Sequence, residues 1–136
     1  MITALAHVCI TAIDLEATHA FYVQALGLTE HFRFERDGAV FGYYFRIDER
    51  NFIEVFGGGD APKPAGGIRH LCLQVDDIDA IEARLAEHGV ATRGKKIGGD
   101  GSWQLWCQDP NGVDIEFHQY TPASSQYTQA TVVVDW

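Results

Sequence analysis

The sequence predicts an α+β fold made of two tandem βαβββ modules. Three observations carry that expectation: an internal repeat, a glycine- and proline-rich break at its midpoint, and one amphipathic segment among strand-like runs in each half. His7-Val8-Cys9-Ile10 returns as His70-Leu71-Cys72-Leu73. Seven residues after each His comes an Asp followed by an aliphatic residue, Asp14-Leu15 and Asp77-Ile78. Gly27-Leu28 and Gly89-Val90 follow 20 and 19 residues after the two histidines. Each half closes on an aliphatic-Glu-apolar triplet, Ile53-Glu54-Val55 and Ile115-Glu116-Phe117. The step from His to Glu is 47 residues in the first copy and 46 in the second. Landmarks kept in order at nearly equal spacing indicate duplication.

In the first copy, Leu5 to Thr11 alternates and reads as a strand. Asp14 is the expected N-cap, because its carboxylate can accept from the free N–H groups of the first turn. Leu15 to Leu26 follows as a helix with Leu15, Thr18, Tyr22, Ala25 and Leu26 near one face, and Gly27 stops it. Glu30 to Arg36, Val40 to Ile47 and Asn51 to Phe56 are three further strands, joined by turns at Asp37-Gly38 and Asp48-Glu49-Arg50. The second copy repeats this with a strand over Ile68 to Val75, N-cap Asp77, a helix over Ile78 to His88 and the stop Gly89. Strands are expected near Ala91 to Lys95, Trp103 to Gln108 and Val113 to His118, the last two joined by the tight turn Asp109-Pro110-Asn111-Gly112. The modules therefore span 1–56 and 68–120. Residues 57–67, with five glycines and two prolines in eleven positions, form the linker, and 121–136 is a C-terminal extension. Within that extension, Thr131 to Trp136 is a short apolar run that could add a strand or cover a pocket or partner.

At 136 residues the chain is about one domain long. Each module alone is small, so the two are expected to share a core. Ten Lys and Arg against 19 Asp and Glu leave a net charge of −9, which argues against nucleic acid and anionic membranes as partners. Arg93, Lys95 and Lys96 cluster locally and read as a solvated strand end. No run is long and apolar enough to span a membrane, and Met1 to His7 does not have the pattern of a secretory signal. Cys9, Cys72 and Cys107 are odd in number without CxxC spacing, which suits reduced thiols and a cytoplasmic location.

Glu54 and Glu116 stand inside otherwise apolar strands, where an ionised carboxylate is costly unless paired or metal-bound. His7 and His70 stand on the strands that open the two copies. A pseudo-twofold between the copies would let all four side chains converge. Imidazole and carboxylate together suit a divalent first-row metal.

These residues resemble the vicinal oxygen chelate superfamily, the group that contains glyoxalase I, bleomycin resistance proteins and extradiol dioxygenases. The likeness covers about residues 2–120. It rests on the paired βαβββ modules, Phe21-Tyr22 followed by Leu26-Gly27-Leu28, the Asp109-Pro110-Asn111-Gly112 turn and the closing Ile115-Glu116. The resemblance implies a curved mixed-sheet cup holding one divalent ion, with His7, Glu54, His70 and Glu116 as ligands. A His/Glu/His/Glu set is similar to the nickel- or zinc-type glyoxalase I enzymes, while cobalt, manganese and iron remain open. In a dioxygenase, iron would take His7, His70 and Glu116. The implied reaction is that of a metal-dependent lyase or isomerase, which chelates two adjacent substrate oxygens and stabilises an enediolate-like anion. Glu116 is the first choice of base and Glu54 the second. Glutathione is not the expected carrier, because Thr11 and Gly58 stand where glyoxalase I enzymes place an Arg and an Asn. A metal-free antibiotic-binding protein of the same fold is the alternative outside catalysis. The expected partners are a small-molecule substrate and a second copy of the chain, as a homodimer.

Strand alternation adds substrate-binding candidates: Cys9, Cys72, Phe56 and His118 each lie two residues from a proposed ligand, and Gln74 lies four from His70. Tyr43, Tyr44, Trp103 and Trp106 read as core or pocket wall, and His19, His31 and His88 as surface residues.

Overall fold

Residues 7–60 and 70–130 are described by the computed structural model. The beginnings of both opening strands, most of the linker and the apolar run from Thr131 lie outside the described residues. The chain divides into two compact units, Met1–Pro64 with Asp109–Gly112, and Ala65–Gln108 with Val113–Trp136.

The first unit holds strands β1 (His7–Thr11), β2 (Thr29–Arg36), β3 (Ala39–Arg46) and β4 (Phe52–Phe56) in the order β1-β4-β3-β2. β1 runs parallel to β4, and the other neighbours are antiparallel. Alternation gives the sheet two faces. Ile10, Phe45, Ile53 and Val55 are buried on one, under Phe21, Tyr22 and Ala25 of the helical segment. Each such large apolar side chain contributes about 1.5–3 kcal/mol on burial. Phe52, Glu54 and Phe56 alternate with them and are only partly covered.

Helix α1 (Leu15–His19) is capped by Asp14, whose carboxylate accepts from Ala17 N–H. The sequence predicts one α-helix from Leu15 to Leu26, but its second half, Ala20–Ala25, is a π-helix, in which Leu26 N–H bonds the carbonyl of Phe21 at 2.9 Å. The wider turn directs Phe21, Tyr22 and Ala25 all inward. A repeat of 3.6 residues carries no sign of such a change in pitch.

The second unit repeats the plan. Strands β5 (Leu71–Gln74), β6 (Lys96–Ile97), β7 (Trp103–Gln108) and β8 (Asp114–Gln119) lie in the order β5-β8-β7-β6, with β5 parallel to β8. Helix α2 (Ile78–Glu87) is capped by Asp77, which accepts from Asp79 and Ala80 N–H. Gly27 and Gly89 follow the two helical segments with φ of 76° and 70°, as stops do. The strand expected near Ala91 to Lys95 is absent. Gly94 takes a φ of 78°, which breaks the extended run, and pairing is confined to Lys96 and Ile97. The C-terminal extension from Thr121 contains the short helix α3 (Ser125–Thr128), which the sequence does not anticipate.

The Asp109–Gly112 turn groups with the first unit although it connects β7 to β8. Asn111 accepts from Ile13 N–H at 2.8 Å and donates to Thr18 Oγ1 at 3.1 Å, while Tyr22 donates to Asp109 at 3.1 Å. Among the described residues, no helix is long and apolar enough to cross a membrane.

Candidate metal-binding and catalytic residues

In the first unit, the exposed side of β1 carries His7, Cys9 and Thr11 beside Phe52, Glu54 and Phe56 of β4. The register pairs Cys9 with Glu54, and Tyr44 of β3 pairs with Glu54 from its other side. His7 Nε2 lies 3.7 Å from Glu54 Oε2, and the Tyr44 hydroxyl lies 3.2 Å from His7 Nδ1. Burial pushes the Cys9 thiol up to about 11, and its hydrogen bond to Glu54 and the charge there add to the shift.

The second unit has the same arrangement. Cys72 pairs with Glu116 in register, and Trp106 of β7 pairs with Glu116 from its other side. His70 Nε2 lies 3.1 Å from Glu116 Oε2, with the His70 ring 4.8 Å from that of Trp106. Glu116 is nearly enclosed, at 5 % exposed. Its Oε1 lies 2.9 Å from His118 Nε2. On the far side of the His118 ring, Nδ1 is 3.9 Å from Asp100. Asp100 in turn accepts from the Ser102 hydroxyl at 2.8 Å and the Gln126 amide at 2.7 Å. Burial alone would raise the Asp100 carboxyl, but these hydrogen bonds and nearby His118 hold it below its ordinary value. Burial pushes the Cys72 thiol up to about 12, with Glu116 adding to the shift.

Each unit thus gathers an imidazole, a carboxylate and a thiol on the side of its sheet away from the helix, and the second adds the imidazole of His118. Cys72, Glu116 and His118 offer ligand atoms within 4.8 Å of one another. Together the imidazole nitrogens, carboxylate oxygens and thiol sulfurs offer a donor set that fits a borderline divalent first-row ion. The site also offers a carboxylate able to accept a proton while neighbouring groups hold it in place.

The structure brings His7, Cys9, Glu54 and Phe56 onto one sheet face, and His70, Cys72, Gln74, Glu116 and His118 onto one face of the other sheet. Gln74 is exposed and lies opposite His118 in register. Tyr44 and Trp106 stand beside the two glutamates, whereas Tyr43 lies 4.5 Å from His19 on the helix side. His19 is only partly exposed and lies 2.8 Å from Glu30, which corrects its reading as a plain surface residue. Asp100 was not legible as part of the site. It sits in Gly98-Gly99-Asp100-Gly101, where an Asp among glycines reads only as a turn.

The profile of the Glyoxalase/Bleomycin resistance protein/Dioxygenase superfamily matches residues 4–117. An ethylmalonyl-CoA/methylmalonyl-CoA epimerase from Cereibacter sphaeroides is 34% identical over 133 residues, covering 88% of this chain and 99% of that protein. The uncharacterised protein YaeR of Escherichia coli is 33% identical over 129 residues, covering 83% and 93%. Among solved structures, a glyoxalase family protein from Enterococcus faecalis superposes with a TM-score of 0.71 at 27% identity, covering 85% of this chain and 96% of that one.

Proposed function

Since the chain belongs to the Glyoxalase/Bleomycin resistance protein/Dioxygenase superfamily, we propose that it is a metal-dependent lyase or isomerase of the glyoxalase I type. Its substrate is a small molecule with two neighbouring oxygens, and it moves a proton from carbon next to a carbonyl. The observation that supports this reading is the repeated constellation, in which Cys9 faces Glu54 and Cys72 faces Glu116, each with a His two residues upstream of the Cys. Chance burial of a polar residue does not reproduce itself at matching register in both copies.

His7, Glu54, His70 and Glu116 are the proposed ligands of one divalent ion, with nickel or zinc suited to the donors. When bound, such an ion supplies Lewis-acid polarisation of the substrate oxygens. The remaining chemistry belongs to the side chains. The carbon–hydrogen bond breaks, its electron pair moves toward the carbonyl, and the proton passes to a carboxylate oxygen. The same carboxyl then returns it to the neighbouring carbon, or a second carboxyl that starts protonated delivers its own proton to the opposite face of the first carbon, the first keeping the proton it took. Glu116 is braced at both oxygens by His70 and His118, at 3.1 and 2.9 Å, whereas Glu54 has the looser His7 at 3.7 Å. A braced carboxylate keeps its aim through the transfer, and a loose one can swing to meet a proton. The likeness to an epimerase supports proton transfer next to a carbonyl. Thr11 and Gly58 offer no guanidinium or amide for a glutathione carboxylate, which directs the reading toward other carriers.

The test is deuterium uptake in heavy water, followed by proton NMR. The chain loaded with nickel or zinc is given an α-hydroxy ketone, an α-carboxylated acyl thioester and a glutathione hemithioacetal in turn. The expected result is exchange at the carbon next to the carbonyl for one of the first two, lost on chelation and in Glu116→Gln or Glu54→Gln. Exchange that survives both substitutions together, or no exchange with any of the three, contradicts the reading.

A further inference from the structure

Across the two units, the walk outward from the glutamate ends in opposite chemistries. In the second unit it runs from Glu116 two residues on to His118, across to Gln104 and across again to Lys96. In the first it runs from Glu54 to Phe56, to Gly42 and to Phe34. The residue before the glutamate on the same face is Asp114 in one unit and Phe52 in the other. The His–Cys–Glu group is duplicated, and each glutamate pairs with one ring, Trp106 or Tyr44, but beyond that ring the walk is polar in one copy and aromatic in the other.

Two irregularities enlarge the aromatic copy. The register between β2 and β3 slips at His31 and again at Phe41, each an extra residue in its strand. The Phe41 ring thereby lies 5.4 Å from Phe56 and 16° from parallel to it. Phe32 and Tyr44 stack at 4.6 Å and 13°, and Tyr44 and Phe52 at 4.9 Å and 29°. Phe34 lies 4.8 Å from Phe56. Gly42 lets Phe56 lie down, because a Cβ there would come within 2.6 Å of the Phe56 ring. Phe32 remains 45 % exposed, and none of the other five rings is fully buried. Tyr44 ties this surface to the donors, since its hydroxyl meets His7 and its backbone pairs with Glu54.

We infer that the ring-covered face of the first unit is a stacking floor for the substrate, and that the substrate bears an aryl group next to the carbons that carry its neighbouring oxygens. This rests on the reading of His7 and Glu54 as the residues that hold those oxygens. A molecule engaged at Glu54 has Phe52 and Phe56 on either side along the strand and Tyr44 across from it, so its body lies against rings. Planar ligands gain offset stacking on such a floor beyond what burial alone supplies. The first unit then recognises the aryl body.

Three hydroxamates, each able to chelate a divalent ion through two adjacent oxygens, test this by calorimetric titration of the nickel- or zinc-loaded chain. Benzohydroxamate is expected to bind about tenfold tighter than acetohydroxamate, and tighter than the equally bulky but non-planar cyclohexanecarbohydroxamate. Phe34→Leu and Phe56→Leu, which keep apolar bulk, are expected to weaken benzohydroxamate by a larger factor than they weaken acetohydroxamate. Equal affinities for the phenyl and methyl compounds overturn the stacking floor while leaving metal binding intact, as does a cyclohexyl compound that binds as well as the phenyl one. If acetohydroxamate does not bind, but benzohydroxamate does and weakens in Phe34→Leu, the floor stands and the metal reading falls. If Phe32→Ser abolishes self-association in sedimentation without altering benzohydroxamate affinity, the face belongs to a second copy and the inference is overturned.

Discussion

Asn111→Ala gives the sharpest test of how the Asp109–Gly112 turn works. The Asn111 side chain is 5 % exposed. Its Oδ1 accepts from Ile13 N–H at 2.8 Å, and its Nδ2 donates to Asp109 Oδ2 at 3.0 Å and to Thr18 Oγ1 at 3.1 Å. Truncation removes three hydrogen bonds worth about 1 kcal/mol each, and the groups left behind are mostly shielded from water. The Asp109 carboxylate keeps the Tyr22 hydroxyl, and the Thr18 hydroxyl keeps the carbonyl of Asp14, which limits the damage. The expected loss is about 3 kcal/mol, equivalent to roughly 10 °C in melting temperature for a chain of this size. Urea unfolding followed by circular dichroism and calorimetry would measure it. Asn111→Asp keeps the acceptor for Ile13 but replaces both donated bonds by oxygen–oxygen contacts, one of them against Asp109. It is expected to lose at least as much at neutral pH. A loss below about 1 kcal/mol for the alanine variant, or an aspartate variant as stable as the parent, would refute the anchoring of the turn by Asn111.

Two other perturbations read separate parts of the structure. Gly42→Ala places a methyl 2.6 Å from both the Phe56 ring and the backbone oxygen of Val55. The backbone cannot yield as a ring can, so a loss of about 1–3 kcal/mol is expected in urea unfolding, accompanied by altered near-ultraviolet dichroism. Burial alone would raise the Glu30 carboxyl, but hydrogen bonds from His19 and Arg33 hold it below its ordinary value. A depressed carboxyl stabilises the fold above the ordinary carboxylate range, and that stability disappears as pH falls through the lower folded value. Glu30→Gln is therefore expected to cost a few tenths to about 1 kcal/mol at pH 7. The difference from the parent should vanish in strong acid, as read from stability measured across pH.

The α+β fold and its duplication were legible because the repeat marks positions where a backbone needs a particular residue. Asp14 and Asp77 cap, Gly27 and Gly89 stop, and Ile53 and Ile115 point inward beside a glutamate that does not. Period-two alternation then tells which residues share a face with His7, Glu54, His70 and Glu116. Features that depend on a changed hydrogen-bond partner were not legible. The π-helical pitch after His19 and the slips at His31 and Phe41 alter which way later side chains point without altering composition. Asp100 and Asn111 sit in turns, where Asp, Asn and Gly are expected for backbone reasons alone. Their long-range contacts to His118 and Thr18 arise only from folding.

Metal content measured by plasma mass spectrometry on chelator-stripped, nickel- or zinc-reloaded chain tests the paired imidazole–carboxylate proposal most directly. The expected result is one ion per chain, with substantial loss in His7→Ala, Glu54→Gln, His70→Ala and Glu116→Gln alike. Full occupancy in His7→Ala and Glu54→Gln, together with loss in Cys72→Ala and His118→Ala, would place the ion on Cys72, Glu116 and His118 alone and contradict a role for the first copy of the repeat.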